Sequence, residues 1–222
     1  MHRQGTTLTF AMPQTYLRTN FLERLAHDLR GAASTGGGAL DELATQLSGN
    51  EGERFAQIAR RSLARVLRMS QSLAEAAELE RGNVALHVTD NDLHTLISSA
   101  VGGAQALENR RGIALTVEGG GTARCDAERL KRAVFELASN AIRAARTKVQ
   151  ASATIHGARV VIAISDDGPG APPVVPRFTP TGERRGLGLG VAMAADVAAL
   201  HGGGLTVERL SDLTVVSLSF PC

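Results

Sequence analysis

Aromatic side chains are almost missing from this sequence, which has no Trp, one Tyr and six Phe in 222 residues. Few stacking platforms are therefore available for single-stranded nucleic acid. A net charge of +2, from 24 basic and 22 acidic residues, gives no field to hold a duplex backbone. No nucleic-acid partner is expected. Apolar runs of the roughly 18 to 20 residues that cross a bilayer are also absent. Met1-His2-Arg3-Gln4-Gly5 lacks the apolar core of a signal peptide, so the expectation is a cytoplasmic protein with no membrane insertion. Cysteine is scarce. Cys125 and Cys222 have no metal-ligand spacing to each other or to the six histidines, which argues against a structural disulfide or zinc site.

What the chain does have is a hydrophobic content of 43%, enough for one large core or two modest ones. From Tyr16 to Leu47 the residues Leu17, Phe21, Leu25, Leu29, Leu40, Leu43 and Leu47 recur at helical spacing. A polar break at 48–52 is followed by a second helical run with Phe55, Ile58, Leu63, Val66, Leu67, Leu73, Ala77 and Leu79. Residues 15–81 thus read as an antiparallel helical hairpin after an N-terminal segment, 1–14. A lone hairpin leaves its leucines wet, so a second copy is expected to complete a four-helix bundle in a homodimer. After Arg81-Gly82-Asn83 the pattern changes to short β-type runs alternating with helices, which sets residues 82–222 apart as an α/β domain.

In that second domain strands are predicted at 84–88, 113–117, 122–125, 149–156, 159–165, 205–209 and 214–220. Helices are predicted at 93–106, 127–146 and 189–201, with Asp92 and Asp126 as N-caps for the first two. Four of the seven prolines, Pro172, Pro173, Pro176 and Pro180, fall between Gly170 and Arg185, a spacing that excludes regular helix and predicts a lid or loop.

Four islands carry chemistry. In Ala26-His27-Asp28-Leu29-Arg30 the imidazole of His27 lies opposite the leucine stripe at 100° per residue, on an outward face with Gly31, Ser34 and Gly38. Those small residues leave room for another protein to approach. Asp28 can accept the ring N–H and leave the other nitrogen free to attack. Read alone, the pair is an ordinary solvated His-Asp on a helix; the other islands change its weight. On the helix after Asp126, Glu136, Asn140 and Arg143 share a polar face. The Asn140 oxygen is a hard ligand suited to Mg²⁺, Glu136 can orient a water in the metal's shell, and Arg143 can reach phosphate. Asp166-Asp167-Gly168-Pro169-Gly170 follows an apolar strand, so Asp166 stands at a strand end where a carboxylate can accept the amine of adenine. Gly168 and Gly170 let the base approach the backbone. Finally Gly186-Leu187-Gly188-Leu189-Gly190 opens an apolar helix, whose free N–H groups favour phosphate. No Lys-Ser or Lys-Thr follows, so this is no Walker P-loop.

In this order the islands resemble the histidine kinases of two-component signalling, over nearly the whole chain from about residue 15. The resemblance implies an α+β protein in which a dimerisation and phosphotransfer hairpin precedes an α/β sandwich ATP-binding domain of the GHKL type shared with gyrase and Hsp90. It implies ATP and Mg²⁺ as cofactors, with His27 the phosphorylated residue and Asp28 its acid-base partner. Asn140 becomes the N-box metal ligand and Asp166 the G1-box adenine reader. Gly186 and Gly188 fall in the G2 box, Phe178 echoes the F-box, and His201-Gly202-Gly203 matches the motif that closes the family's last helix. The implied partner is a response-regulator receiver domain. A separate sensor protein, or residues 1–14, is expected to supply input. The chain departs from the family pattern at Gly31-Ala32, where Thr or Asn and then Pro are usual, and at Arg184, which replaces the first glycine of the G2 box. The rival readings are an ATP-independent dimeric phosphotransfer adapter with a degenerate ATP-binding domain, and a serine/threonine kinase or ATPase on the same fold.

Overall fold

The computed structural model describes residues 85–108, 110, 112–170 and 189–222, together with scattered positions between Leu29 and Val66. These fall into two compact units, one holding the positions up to Val66 and the other the residues from Ala85 onward.

In the first unit the described positions Leu29, Gly31, Ala32, Thr35, Gly36, Gly38 and Glu42 are helical, as are Arg54, Ile58, Ala59, Leu63 and Val66. Ala32 and Ala59 are buried, whereas Leu63 is 51% exposed although it belongs to the apolar stripe of the second run. Helix persists at Gly36 and Gly38, even though each glycine costs a helix about 1 kcal/mol relative to Ala. The Thr35 hydroxyl bonds back to the Gly31 carbonyl at 2.9 Å, as Ser and Thr do inside helices. His27 and Asp28 lie outside the described residues.

The second unit is a five-stranded sheet covered on one face by helices. Its elements run β1 (Thr89–Asp92), α1 (Leu93–Glu108), β2 (Ala114–Gly119), β3 (Thr122–Cys125), α2 (Ala127–Ala144), β4 (Lys148–His156), β5 (Arg159–Asp166), α3 (Leu189–Leu200), β6 (Gly204–Leu210) and β7 (Leu213–Pro221). Spatial order in the sheet is β2-β4-β5-β7-β6, with β2 parallel to β4 and every other pair antiparallel. The parallel pair is joined by a crossover through β3 and α2, as parallel strands require. Alternation along the strands sends Val149, Ala151 and Ala153 of β4 and Val160, Ile162 and Ile164 of β5 into one core. There they meet Leu93, Ile97 and Val101 of α1, Leu130, Val134 and Ile142 of α2, and Val197 of α3. Burying each of the Val, Leu and Ile side chains contributes about 1.5–3 kcal/mol.

Local chemistry sets the helix ends. Asp92 Oδ1 accepts from Thr95 N at 2.7 Å, and Asp126 Oδ1 accepts from Arg129 N at 3.1 Å, so both predicted caps act as N-caps. Helix α3 ends in a Schellman turn: Gly203 N reaches Ala198 O at 2.8 Å and Gly202 N reaches Ala199 O at 2.9 Å, with Gly202 at φ +76°. His201 joins this cap to the start of α2. Its Nε2 accepts from Asp126 N at 3.0 Å while Nδ1 lies 2.7 Å from Val197 O, a pairing met by the neutral ring protonated on Nδ1. The ring also packs on Phe220.

The strand expected at 84–88 is not formed over its described residues. Residues 85–88 are irregular, and the first strand is Thr89–Asp92, paired with β3. Strand β3 is only four residues long, so its ladder is used up by Thr89–Asp92. His87 N turns instead to the Asp126 carboxylate at 3.1 Å.

Candidate functional site

Helix α2 carries the site along one side, with a turn packed at its C-terminal end and a helix start packed one to two turns earlier. Asp166 closes β5 and is buried, and its Oδ1 accepts from Gly168 N at 2.9 Å. That bond folds the turn tightly against α2. A Cβ on Gly168 would lie 2.5 Å from Ala144 O and 2.6 Å from the Asp166 carboxylate, so only glycine fits. Asp167 fastens the same turn to the start of β4 by accepting from the backbone N–H groups of Arg146, Thr147 and Lys148 at 2.8–3.2 Å and from the Thr147 hydroxyl at 2.5 Å. The Thr147 hydroxyl bond, aided by those backbone donors against a desolvation cost, holds the Asp167 carboxyl well below the ordinary carboxylate range.

A third brace comes from the β6–β7 hairpin. Arg209 Nη1 donates to Gly168 O at 3.0 Å and to Thr214 Oγ1 at 2.8 Å. Thr214 is buried and stands directly opposite Asp166 in the β5–β7 register. Gly170 follows at φ +105°, its missing Cβ facing the Arg209 guanidinium at 3.7 Å.

Toward the middle of α2, Glu136 and Asn140 face the first turn of α3. A Cβ on Gly190 would sit 3.0 Å from Glu136 Oε2 and 3.1 Å from Asn140 Nδ2, so the start of α3 is brought against these two side chains. Asn140 Oδ1 accepts from Arg143 Nη2. Arg143 Nη1 pairs with Glu108 Oε1 at 2.9 Å, and the Ser139 hydroxyl donates to the same carboxylate oxygen. From Glu136 to Ala144 the helix rises about 12 Å at 1.5 Å per residue. Asp166 and the glycine turn therefore lie at one end of a strip whose other end holds Asn140, Glu136 and the amide-rich start of α3. A carboxylate acceptor at one end and hydrogen-bond donors with a hard oxygen at the other can take a nucleotide by its base and its phosphates.

Comparison with known proteins agrees with this arrangement. Residues 125–222 match the family described as histidine kinase-, DNA gyrase B- and HSP90-like ATPase. The sensor protein RstB of Escherichia coli is 26% identical over 79% of this chain and 43% of its own length. The histidine protein kinase DivJ of Caulobacter vibrioides is 29% identical over 92% of this chain and 37% of its own. Over most of its length the chain is similar to two-component sensor histidine kinases. The Acinetobacter baumannii histidine kinase AdeS shares the fold at a TM-score of 0.68 and 16% identity, over 88% of this chain and 97% of that structure. The chain spans under half the length of RstB and DivJ, and no described helix is long and apolar enough to cross a membrane.

Of the site residues expected from the sequence, Glu136, Asn140 and Arg143 lie on α2, Asp166 and Gly168 form the turn packed at its end, and Gly170 follows beside Arg209. Helix α3 starts at Leu189, as the glycine island implied. Gly186, Leu187, Gly188 and the proline segment with Phe178 lie outside the described residues. Magnesium fits the donor set. Asn140 Oδ1, a hard oxygen, already takes a cationic donor. Among the described residues no cluster of three His, Cys, Asp or Glu side chains could hold a metal by itself.

Sequence reasoning missed Glu108, Asp167, Arg209 and Thr214. The last pair had a readable signal, since a two-residue hairpin turn after Leu210 places Arg209 opposite Thr214. Glu108 had none, because its meeting with Arg143 depends on how α1 packs on α2.

Proposed function

We propose that the chain is a histidine kinase core that autophosphorylates His27 from Mg-ATP and passes the phosphoryl group to an aspartate on a response-regulator receiver domain. The observation that carries this reading is the strip along α2, with Asp166 at one end and Asn140 beside the first turn of α3 at the other. Similarity to named histidine kinases supports the reaction.

In this reading residues 82–222 form the catalytic domain. Asp166 accepts the adenine amine, with Gly168 and Gly170 clearing space for the ring. Gly186, Leu187, Gly188 and Leu189 present backbone N–H groups to the phosphates, and Arg143 adds a cation. Asn140 would hold Mg²⁺, with Glu136 orienting a water beside it; the metal supplies charge neutralisation for the triphosphate. His27 attacks through the ring nitrogen left unprotonated by Asp28, and catalysis is positioning plus electrostatics. Residues 15–81 form the dimerisation and phosphotransfer hairpin of a homodimer, and the exposed Leu63 suits a surface that a second copy covers. Use of ATP and of a receiver domain is in keeping with a catalytic core that works in the cytoplasm.

Incubation of the purified chain with γ-labelled ATP and Mg²⁺ tests the reading. Wild type is expected to take up label that is acid-labile and base-stable, and His27→Ala to take up none. Label that persists in the alanine variant removes His27 as nucleophile. Failure of wild type to bind nucleotide favours the phosphotransfer adapter.

A further inference from the structure

The side chain of Arg143 does two things at once: Nη2 occupies Asn140 Oδ1, the atom that would face a metal, and Nη1 is paired with Glu108. We propose that Glu108 is a positioning residue that holds Arg143 on Asn140 and so sets how readily the guanidinium is released to the phosphates of a bound nucleotide. The proposal rests on the reading of the α2 strip as a Mg-ATP site.

Three observations support it. The partners differ in exposure: the Glu108 side chain is 14% exposed and that of Arg143 46%. Glu108 is also pinned by the hydroxyl of Ser139, so the carboxylate is the fixed member and the guanidinium the one free to turn. Second, the backbone of the last α2 turn is gripped independently. Arg110, two residues beyond Glu108, donates through Nη1 to the carbonyls of Ile142, Arg143 and Ala145 at 2.8–3.0 Å. Arg143 can then change partners by side-chain rotation alone. Third, the charges compete. A cation approaching Asn140 Oδ1 is repelled by the guanidinium already there, and phosphate oxygens are the acceptors that would draw Arg143 away. A charge-assisted bond to Glu108 resists that transfer. Glu108 thus restrains binding of the phosphate part of the nucleotide and has no effect on the base.

The test is calorimetry on the full chain with Mg-ADP and with adenosine, which lacks phosphates. Glu108→Gln keeps the shape of the side chain and removes its charge. It is expected to bind Mg-ADP about three- to tenfold more tightly than wild type and adenosine with unchanged affinity. In an Arg143→Ala background the same substitution is expected to change neither. Unchanged or weakened Mg-ADP binding with intact adenosine binding overturns the proposal, as does a gain that survives Arg143→Ala. Wild type that binds neither ligand removes the ATP-site reading and this proposal with it. A normal response to Asp166→Asn with none to Glu108→Gln removes the proposal alone. Adenosine binding also reports folding. If Glu108→Gln loses it, Glu108→Asp, too short to reach Arg143, carries the same test with a smaller gain expected.

Discussion

Glycine is used in opposite ways in the two units. At Gly168 a methyl group would lie 2.5 Å from the Ala144 carbonyl oxygen, inside a turn already tied down by Asp166, Asp167 and Arg209. At Gly31 and Gly38 a methyl group would meet nothing within 4 Å among the described residues, and both positions are helical. The first glycine is there because two pieces of backbone must touch. No close approach among the described residues calls for the second pair, and each costs the helix about 1 kcal/mol relative to Ala.

Substituting each in turn sharpens this contrast. Gly168→Ala is expected to destabilise the protein by about 2–3 kcal/mol through overpacking against fixed backbone, read by chemical denaturation, and to weaken ADP binding with it. Wild-type stability in this variant would break the comparison at its stronger end. Asp166→Asn keeps the turn's hydrogen bond to Gly168 but removes the charged acceptor. It is expected to cost about 1.5–3 kcal/mol of adenine-nucleotide affinity by calorimetry and to leave the oligomeric state unchanged. Equal affinity in the two proteins would show that the turn is structural only.

Gly31→Ala and Gly38→Ala are expected to act with the other sign, each stabilising by about 0.5–1 kcal/mol with ADP affinity unchanged. Slower transfer from phosphorylated chain to a receiver in the same variants would show where the cost of glycine is recovered, whereas destabilisation by alanine would reveal an internal contact at these sites. The smallest effect expected is a pH dependence. Because the folded Asp167 carboxyl is held below its ordinary value of 3.8, its contribution is present above that value and is lost as pH falls through the depressed one. The difference in Tm between wild type and Asp167→Asn should therefore shrink as pH is lowered from about 5 toward 2. A constant difference would mean that the carboxylate charge is not what holds the turn.

Periodicity made much of the second unit legible. Strand β3 falls where predicted, and β4, β5 and β7 differ from their predicted spans by a residue or two, because each alternates against a single covered face. Asp92 and Asp126 could be read as caps because capping is local. The missed strand at 84–88 has the opposite cause: Leu86 and Val88 alternate correctly, but pairing depends on the length of a distant partner. The site divides in the same way. Asp166, Gly168 and Asn140 sit in recognisable local settings, whereas Glu108 and Arg209 enter it through tertiary packing that no short window of sequence records.

The parallel pairing of β2 with β4 has a consequence for how the sheet assembles in time. The β4–β5 and β6–β7 pairs close across short turns and lose little chain entropy in doing so. Strand β2 cannot join β4 until β3 and the whole of α2 have been laid down between them. Non-local pairing of this kind is slow, so β2 is expected to gain amide protection well after the antiparallel hairpins in a refolding experiment followed by pulsed hydrogen exchange.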